Sequence, residues 1–216
     1  MTAPMGLRER QKADRLRRIL EAASTRFRRL GYDAARIEDI AEEAGVSVGT
    51  VYNYFGNKGD VLVAIVSVEV EEILEEGAQL IAASTGDVAE AVGALIGLYY
   101  DHSLHYLSKE MWRTAMALAI RSPDTPVSRR YTALDARLAG QVCTLIESLQ
   151  TRGKVRPEID ATAVGTLLFN NLNMMFIEFA KDEEQSLSEL KAQVSWQNAP
   201  LLRLIAAPDR PATPPG

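Results

Sequence analysis

Residues 37–53 read Ile37-Glu38-Asp39-Ile40-Ala41-Glu42-Glu43-Ala44-Gly45-Val46-Ser47-Val48-Gly49-Thr50-Val51-Tyr52-Asn53, and this stretch decides the fold. Ile37, Ile40, Ala41 and Ala44 fall at i, i+3, i+4 and i+7, the spacing of one buried helical face. Glu38 and Asp39 occupy the first turn, where the helix dipole favours acids. Gly45 ends that helix. Ser47 is placed to cap a second one, with Val46 and Val51 in the two positions of a hydrophobic staple. A connection this short, with a glycine in it, forces two helices to cross sharply, the arrangement of a helix-turn-helix.

Outward from this motif the pattern stays helical. Leu16, Ile19, Leu20, Ala23, Phe27 and Leu30 form the apolar stripe of a preceding helix, stopped by Gly31. Asn57, with Asp60 three residues on, opens a long helix from Lys58 to about Ala83, roughly 39 Å at the standard rise. Further helices are predicted over 87–106, 108–121, 127–152, 161–181 and 186–206, with Pro200 kinking or restarting the last. No stretch alternates as a strand does. The expected fold is all-α, with about nine helices: a DNA-binding head over 1–60, a ligand-binding and dimerisation body over 61–207, and a disordered tail over 208–216, which is rich in proline.

A formal net charge of −5 argues against nucleic-acid binding until it is divided along the chain. Residues 8–29 hold nine Arg or Lys against three acids, a local +6, whereas residues 61–216 hold thirteen against twenty, a local −7. One end suits phosphate and the other does not. With 47% apolar and 25% charged residues the chain has the composition of a folded globular protein. It has no apolar run of the ~18–20 residues that spans a bilayer and no apolar leader segment, so a cytoplasmic protein without membrane contact is expected.

In a helix-turn-helix the second helix enters the major groove. With Val51 turned inward, Val48, Gly49, Thr50, Tyr52 and Asn53 are the outward set: Thr50 and Asn53 for hydrogen bonds, Val48 for a thymine methyl, Gly49 for close backbone approach. None is an arginine that reads guanine, so recognition leans on DNA shape. Tyr52, Tyr54 and Lys58 are expected to hold phosphates, with an anion site at the free amides opening the helix at Lys58. Gly31-Tyr32 after an arginine-rich helix, the 37–47 run, and Gly49-Thr50-Val51-Tyr52-Asn53-Tyr54-Phe55-Gly56-Asn57-Lys58 together resemble the DNA-binding head of the TetR family. The resemblance implies a helical homodimer that binds double-stranded operator DNA, a small-molecule effector held in the body, and dimer contacts through a four-helix bundle of the last two helices. Two positions depart from the family pattern. Arg36 stands where a capping Thr or Ser is common, leaving phosphate contact to a cation and the cap to Asp33. Val48 stands where a polar residue, often lysine, is frequent.

In the body, the helix 161–181 is apolar nearly all round, as a helix buried on several sides must be. Leu168, Leu172, Phe176 and Phe179, with Leu190 and Val194 on the last helix, are the expected dimer-interface residues; monomer core is the alternative. Tyr99, Tyr100, His102, Met111, Trp112, Met116, Asn171 and Met175 are the candidate lining of a pocket for an apolar or aromatic effector, or else core at helical spacing. Asn170, Asn171 and Asn173 require partners, in a symmetry mate, the backbone or a polar ligand. His102 and His105 beside Asp101 are a surface pair, an effector contact or two ligands of a metal. Cys143, the single cysteine, is a small buried hydrophobe or a sensing thiol. No catalytic group, metal site or cofactor is expected, since no phosphate loop, His-Glu-x-x-His or nucleophile elbow occurs. The sequence favours a ligand-responsive DNA-binding regulator, a repressor released by its effector; a helical small-molecule-binding or scaffold protein without specific DNA recognition is the alternative.

Overall fold

The computed structural model describes residues 6–208. Among them it shows α1 (Leu7–Leu30), α2 (Ile37–Glu43), α3 (Val48–Tyr54), α4 (Lys58–Ala83), α5 (Val88–His102), α6 (Lys109–Arg121), α7 (Pro126–Thr151), α8 (Ala161–Lys181) and α9 (Leu187–Ile205). The extended backbone of the described residues is limited to an isolated bridge between Val155 and Ala206. No helix of the described residues is long and apolar enough to cross a membrane. All but Pro208 of the tail expected to be disordered lies outside the described residues.

Three helices differ from the sequence expectation, the first by beginning at Leu7, nine residues ahead of its apolar stripe. The fifth ends at His102 instead of 106, because the chain turns: Ser103 is buried, its carbonyl accepts from Trp112 Nε1 at 2.6 Å, and Ser108 caps α6 by accepting from Met111 N. The ninth does not restart at Pro200 but runs through it. Pro200 is exposed, so the carbonyl of Trp196 that loses its helical donor sits on the solvent side of α9. A reciprocal capping box, Ser186 with Glu189, fixes where α9 begins.

The chain divides into two compact units, residues 1–71 with 103–135 and residues 72–102 with 136–216. In the first, Ile19, Phe27, Ile40, Val51 and Leu62 are core side chains. The segment before α6 belongs to this unit because its backbone serves α1: Ser24 Oγ donates to Tyr106 O at 2.5 Å, and Arg28 donates to His105 O at 2.7 Å. Glu110 on α6 accepts from Tyr32 N at 2.9 Å. A sequence boundary after residue 60 falls in the first turn of α4; by compactness α6 lies in one unit with α1, α2 and α3.

In the second unit α9 packs on α5 and on α8. Helices α7 and α8 approach closely at Gly165, where a Cβ would come within 2.6 Å of Cys143 Cα. Cys143 is half-buried there, its sulfur 3.5 Å from Thr162 O. Tyr100, buried, donates its hydroxyl to Leu172 O at 2.8 Å. Tyr99 donates to Gln141 Oε1, and Gln141 Nε2 donates to Leu74 O, so three helices share one polar relay. Gly77 makes room for it, since a Cβ there would lie 2.3 Å from Gln141 Oε1.

Asp135, on α7 in the first unit, has its carboxyl pushed up to about 6 by burial. Its ionised form is disfavoured in the folded state, so its contribution to stability is full below about pH 4 and is lost as pH rises through about 6. Asp135→Asn is therefore expected to raise the melting free energy by roughly 1–3 kcal/mol at pH 7.5 and by little at pH 4, as denaturant titrations at the two pH values would register.

Candidate DNA-binding site

The turn between α2 and α3 forms because Gly45 takes φ +64°, a conformation costly for other residues. It permits Val46 N to bond Ala41 O at 2.9 Å and Gly45 N to bond Glu42 O at 3.0 Å, the paired bonds of a Schellman motif. Ser47 then caps α3, its hydroxyl accepting from Thr50 N at 3.1 Å. Val51 is buried beneath the turn. The motif predicted at 37–53 is thus built by the residues that predicted it.

On the other side of α3, Gly49, Tyr52 and Asn53 are exposed, with Val48 and Thr50 half-buried. A Cβ on Gly49 would meet only Ser47 Oγ, at 3.9 Å, so the backbone there stands open to a partner. The Thr50 hydroxyl lies 2.8 Å from that of Ser47. Thr50, Asn53 and Tyr54 line an open groove of about 570 Å3 together with Lys12 and Arg15 of α1.

Two of the side chains expected to hold phosphates, Lys58 and Tyr54, have partners within the chain. Lys58 directs its ammonium at the carbonyls of Tyr32 (2.6 Å), Asp33 (3.0 Å) and Ala35 (3.2 Å) and lies 4.5 Å from the Tyr32 ring centre. Its three donors are engaged, so it clamps the α1–α2 loop and has none left for a phosphate. Tyr54 donates its hydroxyl to Lys12 O, tying α3 to α1. Ahead of α4, Asp60 Oδ2 accepts from Gly56 N and Asn57 N, and Asn57 Oδ1 caps the helix by accepting from Asp60 N. Beside α3 in this groove stand two cations that the sequence did not single out as site residues, Lys12 and Arg15. The signal was present in the basic run of 8–29, but the apolar stripe starting at Leu16 gave no reason to extend α1 nine residues upstream to Leu7. Arg36 has no capping bond to give α2; it is exposed and 3.4 Å from Glu38, a weak surface pair that leaves the cation available.

The residues expected at the dimer interface and in the effector pocket are largely buried in the chain. Leu168, Leu172, Phe176, Phe179, Leu190 and Val194 are all buried within the single chain. Their near-complete apolar setting is intrachain core; the apolar side chains that α8 and α9 leave exposed are Leu167, Met174, Trp196 and Leu204. Of the effector candidates, Tyr99, Tyr100, Met111 and Trp112 are buried, and the polar atoms of three of them already have partners inside the chain. Met111, Trp112 and Met116 belong to the first unit and the other five to the second. Asn171 Nδ2 donates to the buried Asn198 at 2.9 Å, which supplies its partner from within the chain, and Met175 takes a contact from Gln197. His102 lies 3.6 Å from Glu72, and the ring of His105 packs on Tyr106.

The geometry defines a helical protein with a helix-turn-helix at one end of its sequence. Residues 19–65 match the family model described as bacterial regulatory proteins, tetR family. The regulator BetI of Stenotrophomonas maltophilia is 27% identical over 130 residues, 60% of this chain and 65% of BetI. The repressor KstR of Rhodococcus jostii is 39% identical over 64 residues, 30% of each chain. A TetR-family regulator from Mesorhizobium loti shares the fold, with a TM-score of 0.71, 24% identity, and 91% of this chain and 99% of that one covered. The chain belongs to the TetR family of transcriptional regulators. Its aligned stretch spans less than two thirds of the length of these curated relatives and is densest over the head.

Because Lys58 satisfies three carbonyls with one charge, Lys58→Ala is expected to destabilise the chain by roughly 2–4 kcal/mol. Lys58→Met, which keeps the stem, should be nearly as damaging. A melting point unchanged in either variant would remove the clamp.

Proposed function

We propose that the chain is a dimeric transcriptional regulator that binds an operator through α3 and is released from it by a small molecule held in the body. The observation that carries the reading is the groove in which Lys12 and Arg15 flank Thr50, Asn53 and Tyr54: cations to hold phosphates, beside a helix face open to base edges. Arg36 and the exposed Tyr52 extend the phosphate contacts. Val48, Gly49, Thr50 and Asn53 are the reading positions, with Ser47 setting the start of the helix. Repression is the direction taken from the relative named as a repressor, KstR. In this reading residues 1–60 are the DNA-binding part, 61–207 the sensing and dimerising part, and the protein works in the cytoplasm, with no catalytic step of its own.

The dimer face is drawn from the exposed apolar set, Leu167 and Met174 on α8 with Trp196 and Leu204 on α9. Seven and eight residues separate the members of each pair, which keeps each pair near one side of its helix. Two heads held together by such a face would sit about 34–36 Å apart, in successive major grooves. The effector is assigned no residues among those buried and hydrogen-bonded within the core. The scaffold alternative has no comparable observation, since it gives no role to cations around an open helix face.

A gel shift against DNA flanking the gene, repeated across salt, tests the reading; no sequence-specific complex at any operator would refute it. Lys12→Ala and Arg15→Ala should weaken binding to all sequences alike, each flattening the logarithmic salt slope by about 1, while Thr50→Ala and Asn53→Ala change the preference between sites. Trp196→Asp with Leu204→Asp should convert a sedimenting dimer into a folded monomer and lower operator affinity at least about 100-fold, through loss of the second half-site.

A further inference from the structure

The second unit carries a charge pattern at odds with its surroundings. Acids outnumber bases twenty to thirteen over residues 61–216, yet four of those bases, Arg152, Lys154, Arg156 and Arg203, line one open cleft of about 920 Å3 beside a single carboxylate, Asp87. Among the described residues, the hydrogen bonds these cations make go to neutral groups. Arg152 donates to the carbonyls of Ile81 and Ser84 at the end of α4, and Arg156 Nε donates to Ala206 O at 3.1 Å. Carbonyls satisfy donors without cancelling charge. Lys154 and Arg203 are exposed at the cleft.

The backbone holds these like charges together. Gly153 turns with φ +70°, letting Lys154 N bond Leu149 O. Gln150 Nε2 donates to Arg156 O at 2.9 Å and Ile159 O at 2.8 Å, and the strand-like pairing of Lys154 and Arg156 with Ile205 and Ala207 pins the loop to the end of α9. Like charges gathered around one concavity favour an anion, because their mutual repulsion is relieved when it enters.

A second cavity of about 240 Å3 shares Ala89 and Leu202 with the cleft and is faced by Val92, Ile96 and Val194. Gly93 and Gly97 keep it open: a Cβ on either would meet nothing within 4 Å. From the two adjoining spaces we infer that this end of the unit binds a phosphorylated amphiphile, its phosphate among Lys154, Arg156 and Arg203 and its short apolar part in the slot beside Gly93. The cleft is concave and the size of one small molecule, which favours a soluble ligand over an extended surface. The site is separate from the DNA-contacting helices and does not depend on the function proposed above.

Isothermal titration of the full chain with pyrophosphate, methyl phosphate and hexyl phosphate tests this. Pyrophosphate should bind once per chain, more weakly at higher salt, and about tenfold more weakly in each of Lys154→Ala and Arg203→Ala, whose side chains are exposed. Hexyl phosphate should bind about tenfold tighter than methyl phosphate. Gly93→Leu, which fills the slot, should erase that difference while leaving pyrophosphate unchanged, which a misfolded variant would not do. Absence of saturable pyrophosphate binding, equal binding in the charge variants, or equal affinity for the two alkyl phosphates would overturn the inference. So would sedimentation with phosphatidylglycerol vesicles that depends on Lys154 and Arg203 without binding of any soluble phosphate.

Discussion

The ammonium of Lys58 is the point on which the DNA-binding helices depend. It gathers the carbonyls of Tyr32, Asp33 and Ala35, the groups left without helical partners where the chain passes from α1 to α2. Since Lys58 is also the first residue of α4, one side chain sets the start of the long helix against the loop that aims α2. The turn at Gly45 then aims α3 from α2. Phe27 against Tyr32, at 5.3 Å between ring centres, closes the apolar side of the same loop. The outward face of α3 is therefore positioned by a short chain of contacts, each passing through a named residue.

Much of this was legible in the sequence because it is local. Gly45, Ser47 and Asn57 act on atoms within a few residues of themselves, so their roles follow from spacing. The apolar periods mark all nine helices of the described residues, but they begin α1 nine residues late and carry α5 four residues too far. Lys58 was misread for the opposite reason. A lysine near a helix-turn-helix reads as a phosphate ligand, and only the folded loop shows three carbonyls 23 to 26 residues away waiting for it. Tyr54 was misread in the same way, its partner lying 42 residues upstream.

The body was less legible because burial has no sign of ownership in a sequence. An apolar helix such as α8 is equally consistent with a core inside one chain and an interface between two. Leu168 and Leu172 proved to be the former, Leu167 and Met174 the side chains left over. Of the three asparagines of α8, Asn171 has a partner that nothing in its spacing points to, Asn198 on another helix, whereas Asn170 is exposed. The cleft at Arg152–Arg156 escaped notice because its fourth cation, Arg203, is some fifty residues from the others.

The burial of those six side chains within one chain separates two processes. A protomer that completes its own core gains nothing further for that core from a second copy, so folding is governed by the chain alone and assembly by its concentration. Dilution would then yield intact subunits, and any response that acts by changing how two subunits meet would operate on bodies already folded. Such a protein can be switched through its quaternary arrangement without passing through an unfolded state.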